Sequence, residues 1–96
     1  MDTIERYFAL AAADDVEAFV AQFTDDAVVV DDGHRRDDLR AWRRDTPDVT
    51  YTIDHVEGTH ADVTIAGDFP GSPVGLHVAF GLADDGRIAR LDIGPR

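Results

Sequence analysis

Ninety-six residues suffice for one domain and no second, so residues 1–96 are read as a single unit. Twenty carboxylates stand against nine basic side chains, all arginine, for a formal charge of −11. That field repels phosphate backbones and anionic lipid, which argues against nucleic acid or a membrane surface as partner. The chain has no cysteine, which excludes disulfides and thiolate metal sites.

In chain order, Thr3 or Asp2 caps a first helix over about 3–12, with Ile4, Tyr7, Phe8 and Ala11 on one stripe. Asp14 is placed to cap a second helix, with Glu17 three residues on as a capping-box partner. Val16, Phe19, Val20 and Phe23 repeat the apolar spacing. Ala27–Asp31 is β-branched and reads as a strand. A third helix is expected over about Asp37–Arg44, with Leu39 and Trp42 inward, stopped by Thr46-Pro47-Asp48.

Four further strands follow at about 49–56, 62–66, 74–83 and 87–93. In the first of these, Tyr51, Ile53 and His55 alternate against Thr50, Thr52 and Asp54. Phe69-Pro70-Gly71-Ser72-Pro73 suits a type II turn, and Asp84-Asp85-Gly86 a hairpin turn. In the third, Leu76, Val78 and Phe80 share a face opposite Gly75, His77, Ala79 and Gly81. The order α-α-β-α-β-β-β-β, helices first and an antiparallel meander after, predicts an α+β fold. A strongly twisted sheet wrapped over helices encloses a cavity.

Several segments carry a family likeness: Arg6–Leu10, Phe23–Gly33, Leu39–Trp42, Gly67–Val74 and Phe80–Ile88. In this order the chain resembles the nuclear transport factor 2-like (NTF2-like) superfamily, and its SnoaL-like branch in particular. The resemblance implies a cone-shaped barrel, with the N-terminal helices packed in a strongly curved, mostly antiparallel sheet. It also implies an apolar pocket and a homodimer. Members include isomerases, cyclases, hydrolases and non-catalytic binding modules, so the fold alone does not fix the reaction.

Ketosteroid isomerase shares this fold and is a standard case of carboxylate tuning. By that resemblance Asp31, at the end of the first strand, matches the general base, and Tyr7 on the first helix matches an oxyanion donor. The second donor falls at Val78, which has nothing to donate. The residues make a separate case for Asp31. It shares a strand face with Val29, so an inward Val29 brings the carboxylate into the cavity. There it is partly dehydrated, as a base working near neutral pH requires. The competing reading is a solvated turn formed by Asp31, Asp32 and Gly33.

Phe8, Phe23, Val29, Trp42, His55, Val78 and Phe80 are expected to line the pocket, His55 because it shares a strand face with Tyr51 and Ile53. His34, just after the carboxylates, is a weaker acid/base candidate. The flat face carrying His77 suits sheet-to-sheet packing of a homodimer. Arg35, Arg36, Arg40, Arg43 and Arg44 read as a solvated helix face paired with nearby aspartates. No histidine pair has ligand spacing, so no metal or other cofactor is expected. No apolar run approaches the roughly 18 residues of a membrane span, and Met1–Arg6 lacks the signal-peptide pattern. The expected location is the cytoplasm.

Two function classes follow. One is a small-molecule pocket protein acting as an isomerase or cyclase on a hydrophobic carbonyl compound, with Asp31 as base and Tyr7 as donor. The other is a non-catalytic ligand-binding or dimerisation module of the same fold.

Overall fold

The computed structural model describes residues 2–96. Helix α1 spans Thr3–Ala12, and the Asp2 carboxylate accepts the Glu5 N–H at 2.8 Å as its cap. Its Ile4, Tyr7, Phe8 and Ala11 stripe is buried. Helix α2 spans Val16–Ala21. Its cap is Asp15, not Asp14: Asp15 accepts from the Ala18 N–H at 3.1 Å. That shift leaves Glu17 in the first turn with no reciprocal partner at the cap. Glu17 instead takes two 2.8 Å hydrogen bonds from Arg40 and so ties α2 to the third helix. Helix α3 spans Leu39–Asp45 and is capped by Asp38.

Six strands accompany the helices, two before α3 and four after it: β1 (Phe23–Asp31), β2 (His34–Arg36), β3 (Val49–Glu57), β4 (His60–Gly67), β5 (Val74–Leu82) and β6 (Ile88–Pro95). They form one sheet in the order β2-β1-β6-β5-β4-β3. Only β1 and β6 pair in parallel; the other neighbours are antiparallel. The architecture is the expected α+β one, with two differences. Strand β1 begins at Phe23 rather than Ala27, and its pairing with β6 is irregular between Phe23 and Val28, where Asp25 and Asp26 are exposed.

The second difference is β2, which the sequence reading did not include. Asp32 (φ 52°) and Gly33 (φ 79°) close a two-residue turn that pairs Asp31 with His34. Both central positions of this turn type need positive φ, which Asp-Gly supplies most readily. The Pro70-Gly71 turn forms as expected, with Gly71 at φ 87° and a Ser72 N–H bond to the Phe69 carbonyl.

The inner face of the sheet packs on α1 and α2. Val29, Val63, Val78, Ile88 and Leu91 are almost wholly buried there, with Phe19 from α2. Removing such a side chain from water stabilises the fold by about 1.5–3 kcal/mol each. Tyr7 lies at the centre of an aromatic cluster, edge-on to Phe8 at 5.0 Å and to Phe80 at 5.4 Å. Among the described residues, no helix is long and apolar enough to cross a membrane.

Candidate active site

A cavity of about 420 Å³ opens between α1, α3 and the concave face of the sheet. That volume lies in the range of small-molecule pockets, so the aromatic rings do not plug it. Its wall is mainly apolar: Phe8, Trp42, Val49, Val63, Ile65, Phe69, Leu76, Val78 and Ile93 all face it. The polar groups on the wall are Tyr7, Asp31, Arg36, Asp45, Thr46 and Tyr51.

Strand register puts Asp31 there. Val29 pairs with Leu91 and Asp31 with Ile93, while Val28 and Val30 pair with Arg90 and Asp92 on the other face. Period-two alternation therefore carries Asp31 inward with Val29. The Trp42 indole N–H donates to Asp31 Oδ2 at 3.1 Å. Oδ1 has no side-chain partner among the described residues. Trp42 is held in turn by α3 and by Phe19, 5.8 Å away between ring centres.

Tyr7 is buried, and that burial, reinforced by nearby Tyr51 and Asp31, holds its phenol well above the usual range. Tyr51 on β3 is pushed the same way by burial, with Arg43 drawing it down and Asp31 raising it. Both remain hydroxyl donors at any ordinary pH. Neither phenol oxygen forms a hydrogen bond among the described residues.

The structure thus brings together Tyr7, Phe8, Asp31, Trp42 and Val78. Four other expected lining residues lie elsewhere. Phe23 packs against Tyr7 and Phe19, and Phe80 against Tyr7 and Phe8, so α1 covers both. Val29 is wholly buried and is not among the residues that line the cavity. His55 is on the opposite face. A β-bulge at Asp54 lets Ile53 pair with Val63 but His55 with Asp62, which reverses the alternation. His34 is exposed on the β1–β2 hairpin, with Nδ1 3.0 Å from the Asp32 carbonyl oxygen.

Several lining residues were not singled out from the sequence. Tyr51 was visible only as one member of an alternating strand. Arg36 reaches the cavity because β2 pairs it with Val29, and the Asp-Gly signal could have revealed that strand. The other arginines are largely tied down: Arg35 to Asp37, Arg40 to Glu17 and Arg43 to the Ala13 carbonyl at 2.7 Å.

On the outer face His77 Nδ1 lies 2.8 Å from Asp62, and His60 Nδ1 lies 3.0 Å from His77 Nε2. The His77 bond holds the Asp62 carboxyl below its ordinary range. Nearby, Arg96 lies across Gly75 and bonds to Asp54 at 2.9 Å. Among the described residues, no group of three or more His, Asp or Glu side chains has the arrangement to hold a metal ion.

Helices cradled by a curved sheet, with a carboxylate and a phenol at an apolar cavity, define the cone-shaped pocket class of α+β proteins. No protein-family profile matches the sequence, and no curated protein matches it. Solved structures do. One, a candidate polyketide cyclase (protein SMa1630) from Sinorhizobium meliloti, is 36% identical, with a TM-score of 0.71 over 94% of this chain and 91% of that one. Another is SalBIII, an epoxide hydrolase/cyclase-like enzyme in pyran ring formation in the polyether salinomycin. It is 21% identical, with a TM-score of 0.77 over 97% of this chain and 87% of that one. The chain belongs to the SnoaL-like branch of the NTF2-like superfamily.

Proposed function

We propose that this protein is a SnoaL-like isomerase or cyclase acting on a hydrophobic carbonyl compound. The observation that carries the reading is Asp31 at the wall of an apolar cavity, one carboxylate oxygen bonded to Trp42 and the other without a side-chain partner among the described residues. The 36% identity to a candidate polyketide cyclase favours the same class.

In this reading Asp31 Oδ1 takes a proton from the carbon next to the substrate carbonyl. The C–H electron pair becomes the new C=C bond, and the carbonyl π pair moves onto oxygen. Tyr7 donates a hydrogen bond to that oxygen as its charge grows. The protonated Asp31 then returns the proton to a different carbon. Alternatively, the enolate carbon bonds to a second carbonyl carbon of the same substrate, whose π pair moves onto its own oxygen and takes the proton from Asp31 as the first C=O re-forms. The apolar wall orients the substrate and keeps water from competing.

The experiment is deuterium incorporation into a panel of β-dicarbonyl and polyketide-like ketones, followed by NMR, with wild type and Asp31→Asn. Exchange that depends on Asp31 supports the enzyme. Ligand binding with no exchange in either protein would favour the non-catalytic binding module.

A further inference from the structure

Among the described residues, Arg36 is the one basic side chain on the wall of the main cavity. Strand β2 sets its direction. Arg36 pairs with Val29 and so shares the concave face with Val29 and Asp31. Asp31 pairs with His34 on the same strand, which makes Arg36 its diagonal neighbour. Diagonal positions of an antiparallel pair lie about 7–8 Å apart. Arg36 is exposed, whereas Val63 and Val78 on the same wall are buried, so the guanidinium stands at the mouth of the cavity.

Its charge is not spent within the protein. Arg35, Arg40, Arg43, Arg87, Arg90 and Arg96 each donate to a carboxylate or a carbonyl. Arg36 forms no hydrogen bond or ion pair among the described residues, not even with Asp31 or Asp45 on the same wall. Arg6 and Arg44 are also unpartnered there, but neither lines this cavity. The charge of −11 and the two wall carboxylates repel an anionic ligand. A lone cation at the entrance reverses that locally. Guanidinium presents a planar fork of donors that matches a carboxylate. One guanidinium neutralises a singly charged carboxylate and leaves a phosphate dianion half-neutralised.

We infer that Arg36 forms an anion subsite at the mouth of the pocket, and that the substrate is a keto acid: an apolar ketone whose free carboxylate stays at the entrance. The inference deepens the proposed function and rests on it for the ketone. The carboxylate binds Arg36, the apolar body lies against Phe8, Leu76 and Ile65, and the enolisable carbon meets Asp31. Arg36 makes no contact with the Asp31 carboxylate, so the two ends of the substrate are held apart and its carboxylate takes no part in the proton transfer. Arg36 is thus a specificity-determining residue. It favours the free acid over the ester or amide of the same ketone.

The test compares 4-benzoylbenzoate and 2-naphthoate with their own primary amides, by calorimetry at neutral pH and low salt. None of these probes can enolise, so binding is read without turnover. In wild type each carboxylate is expected to bind more tightly than its amide. Arg36→Gln should weaken the carboxylates roughly tenfold, the worth of bonds between charged groups, and leave the amides unchanged. Arg36→Lys keeps the charge without the fork and should fall between the two. Added salt should weaken the carboxylates alone. Arg36 is exposed, so both variants are expected to fold, and the salt series in wild type reads the subsite independently of them. Carboxylates that bind no more tightly than their amides, or an Arg36→Gln loss shared equally by the amides, would overturn the inference. Deuterium exchange into ketones is read separately. Its absence beside Arg36-dependent carboxylate binding removes the general-base reading and leaves the anion subsite standing. Exchange that depends on Asp31 but shows no preference for a keto acid over its ester, in wild type or Arg36→Gln, does the reverse.

Discussion

Trp42 Nε1 sits 3.1 Å from Asp31 Oδ2 and links helix α3 to the last residue of β1. The bond uses one carboxylate oxygen and fixes the direction of the other. The indole therefore acts as a positioning group for the proposed base. Trp42→Phe keeps a ring against Phe19 but removes the donor. We expect turnover to fall about tenfold, a loss comparable to one hydrogen bond, with KM little changed. Steady-state kinetics on any active substrate checks the split, and a rise in KM alone would point to lost pocket shape.

Asp31→Asn preserves size and the acceptor for Trp42 while removing the base. Proton abstraction should drop by about 10²–10⁴-fold, with ligand affinity retained and the thermal transition unchanged. The exchange rate measured by NMR beside a binding isotherm separates the two.

Leu91 is fully buried on β6, paired with both Val29 and Phe80. Leu91→Ala should cost about 2–5 kcal/mol, a large fraction of the ~5–15 kcal/mol typical of a domain. Urea titration followed by circular dichroism measures it, and a loss below 1 kcal/mol would mean that the neighbouring side chains collapse into the space.

An alanine Cβ at position 75 would lie 2.7 Å from Arg96 Nε, the outer part of a flexible side chain. Gly75→Ala should therefore displace Arg96 and leave the strand in place. Asp54 is held low first by the Thr64 hydroxyl and then by Arg96. Its carboxyl titration should move part of the way back toward the ordinary range, since the Thr64 bond persists. Because the folded value is depressed, the stabilisation is present above the unfolded aspartate range near ~3.9 and disappears as pH falls through the folded value. Carboxyl-carbon NMR of wild type and variant decides, and an unmoved Asp54 would show that Arg96 contributes nothing.

We propose that the outer face carrying His77 seats a second copy of the chain. Ala79 leaves the middle of that face low, and Asp62, His77 and His60 form a connected polar cluster beside it. Ala79→Arg sets a long cation opposite Asp92 on β6 and should convert a dimer to a folded monomer in sedimentation. Wild type sedimenting as a monomer would end the proposal.

Much of the fold was legible because its signals are local. The stripe through Ile4, Tyr7, Phe8 and Ala11 marks α1, and the alternation of Leu76, Val78 and Phe80 marks β5. Asp31's inward direction followed from its two-residue spacing to Val29. His55 was misplaced because a single extra residue at Asp54 reverses a strand's faces, and spacing carries no trace of a bulge. Phe23 and Phe80 were misassigned for another reason. Being apolar and inward does not say which rings a helix will cover, since that depends on how α1 lies across the sheet. Arg43 looked like one member of a solvated cluster. Only the close approach of α3 to the Ala13 carbonyl draws it partly out of water.

The parallel pairing of β1 with β6 has a bearing on how the protein comes into being. Val29 and Asp31 find their partners, Leu91 and Ile93, about sixty residues further along the chain, which makes this the most non-local junction of the sheet. On the ribosome the helices and β1 emerge first, yet the carboxylate cannot take its place until β6 has been synthesised. The proposed chemistry is therefore switched on late, and a nascent chain carries a pocket half that cannot act.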